Sequence, residues 1–156
     1  DPFVPLYMMK SGGMSLEEVE TALMADAGLA GISGVGGDMR DIVAAADAGS
    51  DDARLALDTY HYGVKKTIGA YAAALGGLDA VAFTGGIGER AAASRAAICE
   101  GLEFLGIGLD AAANARPGAD RVVSCEGSDV AVLVIEANEE IVVARETARL
   151  VAEHGR

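Results

Sequence analysis

The chain has 156 residues, half of them hydrophobic, with 21 glycines, few aromatics and no tryptophan. This composition supports one domain with a real core, excludes a disordered chain and favours an α/β protein over an all-β sandwich. A net charge of -12 opposes binding to nucleic acid, no apolar run approaches the ~20 residues of a membrane span, no signal peptide is visible, and two cysteines, Cys99 and Cys125, fit free thiols in a reducing cytoplasm.

Phe3 to Lys10 reads as a short helix ended by Ser11-Gly12-Gly13. Ser15 opens the next helix: Ser15 and Glu18 form an S-x-x-E capping box, and Met14 and Val19 have the spacing of a hydrophobic staple. Leu16, Val19 and Leu23 make its apolar face, and it stops near Gly28. Residues 28–37 read as a glycine-rich loop. Asp38 to Ala48 looks helical, and Ser50-Asp51-Asp52 caps a long helix to about Leu75, with a stripe at Leu57, Tyr60, Val64, Ile68, Tyr71 and Leu75. Ala80 to Phe83 is a strand that breaks into Gly85-Gly86-Ile87-Gly88, and a helix is expected from Glu89 to Leu105. Asp110 caps one turn over Ala111–Asn114, and Arg116-Pro117-Gly118 is a turn. Val122 to Cys125 and Val130 to Ile135 are strands, the second apolar enough to be a buried parallel one. The terminal helix runs from Glu139 to about Glu153. About three strands is few for helices of this length, which implies that strand-rich sequence belongs with this chain.

Three segments carry chemistry. Gly86-Ile87-Gly88-Glu89-Arg90-Ala91 fits G-x-G-x-x-A between a strand and a helix, where free backbone N–H groups suit the polar atoms of a nucleotide; such turns also simply reverse a chain. A Rossmann reading, with NAD as ligand, needs an acid ~20 residues on at the end of a second strand, for which Asp110 is the candidate after a poor strand, Gly106–Leu109. A Walker A reading fails because no G-K-[ST] follows a glycine run. Asp38-Met39-Arg40 follows the other glycine segment: Arg40 suits an adenine face, a ribose or a phosphate, and equally a surface arginine at an acidic helix start. Asn138-Glu139-Glu140 follows the most apolar strand, at a carboxyl end where a carboxylate serves Mg²⁺ or where asparagine simply caps a helix. No Ser/His/Asp set or Cys/His metal cluster is present, so the sequence names no catalytic residue.

Together, F-T-G-G-I-G-E (Phe83–Glu89), G-D-M-R-D-I (Gly37–Ile42), I-G-A-Y (Ile68–Tyr71), L-G-I-G-L-D (Leu105–Asp110) and N-E-E (Asn138–Glu140) resemble the acetate kinase family, in the same order and over nearly the whole chain. The resemblance implies a fold like that of actin, Hsp70 and sugar kinases (ribonuclease H-like), in which two domains close around ATP/ADP and Mg²⁺. It implies phosphoryl transfer from ATP to acetate to give acetyl phosphate, and dimerisation of the full-length enzyme. Gly86, Ile87, Gly88, Glu89 and Arg90 would line the adenosine pocket, Asp38, Met39 and Arg40 would form the second nucleotide-contacting segment, and Glu139 would be the Mg²⁺-linked glutamate.

Arg90 stands where the family usually has asparagine, and Ile135–Glu140 reads I-E-A-N-E-E in place of I-P-T-N-E-E. The Asp1-Pro2 start matches a D-P in the middle of the family sequence. Residues 1–156 therefore read as the C-terminal nucleotide-binding part, without the N-terminal domain or the start of the C-terminal domain. The H-L-G-N-G phosphate segment, the transition-state arginine and histidine and the acetate pocket lie in the absent part. Phosphoryl transfer rests on positioning and charge neutralisation, so the isolated chain is expected to be inactive. The resemblance does not separate acetate from propionate or butyrate as acceptor. A non-catalytic nucleotide-binding module is the remaining alternative.

Overall fold

The computed structural model describes residues 1–118 and 120–154. They divide into two compact units, Asp1–Lys66 and Thr67–Arg156.

The first unit is helical. Helix α1 (Val4–Lys10) is followed by α2 (Leu16–Met24). The capping box forms as the sequence predicts: the Glu18 amide donates to Ser15 Oγ at 3.2 Å, and the Ser15 amide donates to Glu18 Oε2 at 2.7 Å. The expected loop at 28–37 instead holds a short helix, α3 (Leu29–Ser33), which ends at Gly34 in the left-handed region (φ 69°). Burial overrides the glycines here. Leu29 and Ile32, three apart, pack on a core of Ile42 and Ala46 from α4 (Met39–Asp47) and Ala53 and Ala56 from α5 (Asp51–Leu75). The three alanines let the α4 and α5 backbones approach closely, and Ser50 caps α5 by accepting the Ala53 amide at 3.2 Å.

The second unit is built on a small mixed sheet with strand order β1-β3-β2, from β1 (Ala80–Phe83), β2 (Arg121–Val122) and β3 (Ala131–Val134). β3 runs parallel to β1, with Phe83 opposite Val134, and antiparallel to β2, with Arg121 opposite Val134. The expected Val122–Cys125 strand is thus shorter and shifted. Ser124 meets Leu109 in an isolated bridge and Ile107 meets Val130 in another, so the glycine-containing segment 106–109 does join the ladder. Phe83, Ile98, Ile107, Val123, Val130, Val132 and Val134 form the apolar interior.

The single helix expected over Glu89–Leu105 is three pieces: α6 (Gly85–Arg90), α7 (Ala92–Cys99) and a 3₁₀ turn (Glu103–Leu105). The glycines belong to α6 itself. Next come α8 (Ala111–Ala115), capped by Asp110, and α9 (Glu139–His154). No disulfide joins Cys99 and Cys125 among the described residues. No helix there is long and apolar enough to cross a membrane.

Ile42 is fully buried, whereas Val43 beside it on α4 is 38% exposed. Ile42→Ala is expected to cost about 2–5 kcal/mol by cavity formation and Val43→Ala about 0.5 kcal/mol or less, read from urea unfolding midpoints.

Candidate functional site

The glycine motif takes its shape from packing against β1. Gly85 sits in the left-handed region (φ 71°), which swings the chain from strand to helix without a Cβ penalty. A Cβ on Gly88 would lie 3.1 Å from the Phe83 carbonyl carbon, so glycine is what lets α6 press against the end of the strand. A Cβ on Gly86 would meet no protein atom within 4 Å. Gly88 is thus spent on packing, while Gly86 leaves free space.

Arg95 explains why α6 stops. The residue is 2% exposed. One terminal guanidinium nitrogen donates to the carbonyls of Gly88 and Glu89 at 2.8 and 2.9 Å, taking acceptors that continued helix would give to residues 92 and 93. Its Nε donates to Asn114 Oδ1 at 2.7 Å and the other terminal nitrogen to the Asn114 carbonyl at 2.7 Å. Asn114 returns its amide to the Ala92 carbonyl at 2.8 Å. All the acceptors are neutral oxygens. Burial lowers the Arg95 pKa from its ordinary value, nearby Arg121 lowers it further, and Cys99 opposes the shift. The cation sits at the negative end of the α6 dipole, which partly offsets its burial. The sequence offers one trace of this: a lone arginine within the alanine-rich run 91–97.

A cleft of about 270 Å³ opens beside this turn. Gly85, Gly86, Glu89 and Arg90 form one wall and residues 136–140 the other. The cleft lies at the carboxyl ends of the parallel strands β1 and β3, the usual ligand position in open α/β sheets. Of the residues singled out in the sequence, Gly86, Glu89, Arg90, Asn138, Glu139 and Glu140 meet here. Ile87 and Gly88 belong to α6 but do not line the cleft. Arg90 and Glu139 are exposed, whereas Glu89 is half-buried and accepts the Ala137 amide at 2.8 Å.

Asp38, Met39 and Arg40 belong to the other unit. Asp38 caps α4 by accepting the Arg40 amide at 2.9 Å, and the Arg40 side chain folds back on it with Nε–Oδ1 at 3.0 Å and a second contact at 2.6 Å. Arg40 is largely exposed, so the pair is a surface one. The hydrogen bonds from the Arg40 side chain, then from its amide, hold the Asp38 carboxyl at about 2 against an ordinary 3.8. The same bonds raise the Arg40 pKa. Met39 is buried, so its side chain serves the core.

Asp110, which a dinucleotide reading would place on a ribose, caps α8 through the Ala113 amide at 2.7 Å. Half-buried His61 lies edge-on to Tyr60, with its pKa lowered by burial; it belongs to the first unit.

A sequence profile of the acetokinase family matches residues 1–145. Acetate kinase of Clostridium botulinum (strain Langeland) is 49% identical over 152 residues, covering 97% of this chain and 38% of that protein. Acetate kinase of Dictyoglomus thermophilum is 46% identical over 151 residues, again 97% and 38%. Among solved structures, acetate kinase of Porphyromonas gingivalis superposes with a TM-score of 0.85 at 37% identity, covering 97% of this chain and 38% of the other. A propionate kinase of Francisella tularensis gives a TM-score of 0.81 at 34% identity, with 94% and 37% covered. The fold is α/β with a small mixed sheet, as expected for part of the actin/Hsp70/sugar-kinase-like architecture. The chain belongs to the acetokinase family. It spans about 38% of the length of the curated relatives it matches.

Two outcomes follow from this geometry. Arg95→Ala orphans buried acceptors in α6 and α8 and is expected to cost about 2–4 kcal/mol, with Arg95→Lys recovering only part because a single ammonium cannot span the four sites; urea unfolding of both variants measures it. Because the Asp38 pKa is depressed, the contribution of the Asp38–Arg40 pair is complete above the ordinary carboxylate range and fades as pH falls towards about 2. The Asp38 carboxyl carbon, followed by NMR, is expected to titrate near 2 and to move up towards 3.8 in Arg40→Gln.

Proposed function

We propose that this chain supplies the nucleotide side of a kinase that transfers the ATP γ-phosphoryl group to a short carboxylate, acetate or a close homologue, to give the acyl phosphate and ADP. The observation that carries this is the cleft between α6 and the start of α9. In it, Gly86 opens backbone to a ligand, and Glu139 stands on the facing wall. The names of the family and of the relatives supply the reaction class.

In this reading Gly86 and Arg90 border the adenosine, and Glu139 faces the metal. Asp38 holds the Arg40 guanidinium folded back against the start of α4, and in this reading that segment is the first unit's own nucleotide contact. Mg²⁺ neutralises phosphate charge when bound. No group of three or more His, Cys, Asp or Glu side chains stands in metal-binding geometry among the described residues. In this reading Mg²⁺ is carried largely by phosphate and water oxygens, with Glu139 touching it directly or through water. The acceptor pocket and the groups that stabilise the transferring phosphoryl belong to the rest of the parent enzyme.

The family match does not favour a dinucleotide reading, whose candidate ribose carboxylate, Asp110, caps α8 through Oδ1. Calorimetric titration with ATP and NAD separates the two readings: ATP is expected to bind more tightly, and tighter NAD binding would overturn the proposal. Gly86→Ala, whose methyl meets no protein atom, is expected to leave the unfolding midpoint in place and to weaken ATP binding about tenfold, roughly 1.4 kcal/mol.

A further inference from the structure

After β3 the chain gives up its ladder over three residues, and each successive amide goes to a different element. The Ile135 amide donates to the Phe83 carbonyl of β1 at 2.9 Å, the Glu136 amide to Asp120 Oδ1 at 3.3 Å, and the Ala137 amide to Glu89 Oε1 at 2.8 Å. The Ala137 carbonyl then accepts the Glu139 amide at 2.7 Å, so the first residue of α9 is tied to Ala137. On the other side, the Glu89 carbonyl is held by Arg95, which is held in turn by Asn114. A continuous hydrogen-bonded line therefore runs from α8 through Arg95 and Glu89 to the start of α9. It crosses between the two walls of the cleft at one side chain, Glu89.

We propose that the Glu89 carboxylate is a positioning group, not a ligand group: by holding the Ala137 amide it sets the width of the cleft and the placement of Glu139. The residue spans 48 positions of sequence to do so, between a helix end already pinned from behind and a segment whose Ile135, Glu136 and Glu139 amides have partners of their own. A carboxylate that accepts a backbone amide makes a charge-assisted bond, so the contact is strong enough to decide where that segment rests. Its consequence for nucleotide binding rests on the reading of the cleft given above.

Length and charge predict opposite results for conservative variants. Glu89→Gln keeps the reach and the acceptor oxygen but loses the charge. Glu89→Asp keeps the charge but draws the oxygen back by about 1.5 Å, beyond hydrogen-bonding distance of a fixed amide. The test is residue-resolved amide exchange by NMR on the 156-residue chain, together with ATP titration. Glu89→Gln is expected to retain the protection of the Ala137 amide and the ATP affinity within about threefold, whereas Glu89→Asp and Glu89→Ala accelerate Ala137 exchange and weaken ATP binding by about tenfold each. Unchanged Ala137 exchange in Glu89→Asp, or ATP binding retained by Glu89→Asp and lost in Glu89→Gln, would overturn the proposal in favour of a charge or ligand role. If Glu89→Ala does not fold, the Gln and Asp pair decides. If the unsubstituted chain binds no ATP, the nucleotide reading fails by itself, and Ala137 exchange still judges the strut.

Discussion

The second unit depends on a buried guanidinium. Arg95 is buried to 2% exposure and has no carboxylate among its acceptors, yet its donors meet oxygens of Gly88, Glu89 and Asn114 at 2.7–2.9 Å. A planar fork can serve two carbonyls on one side and an amide residue on the other, which a point charge cannot. Because two of those carbonyls close α6, the arginine both ends that helix and fixes its direction against α7 and α8. The buried charge is tolerable because neutral oxygens and the helix dipole surround it.

The cleft follows from that constraint. Gly88 lets α6 press on Phe83, Gly85 turns the chain into the helix, and Arg95 holds the far end, so the wall carrying Gly86 and Arg90 is rigidly placed. The opposite wall emerges from β3, whose parallel register with β1 brings residues 136–140 to the same end of the sheet. Glu89 then bridges them. Two elements distant in sequence thereby face each other without a loop of their own to shape the site. In the first unit, Asp38 and Arg40 form a self-contained surface pair, with Met39 anchoring the helix start in the core.

Much of this is legible in short stretches of the sequence. The capping box at Ser15, the caps at Ser50 and Asp110 and the strands at 80–83 and 130–135 are local signals, and each formed close to the expected place. The errors arose where non-local contacts competed with local rules. Residues 28–37 look like a loop because of their glycines, but Leu29 and Ile32 gain enough burial on Ile42 to wind a helical turn. The Gly85–Gly88 run looks like a turn before a long helix, whereas it is itself helical and the long helix is broken at Ala91. Arg95 causes that break, and its partner Asn114 lies 19 residues away, so no local pattern reports it.

By itself the sequence determined the α/β class and the family, because capping, periodicity and motif order are properties of short segments. Only the tertiary structure decided which glycine packs and which leaves space, where α6 ends, and that the Glu89 side chain faces Ala137. Each of those depends on a distance between residues far apart in the chain. Such distances are set by the packing of the sheet and by the buried guanidinium, which no short stretch of sequence encodes.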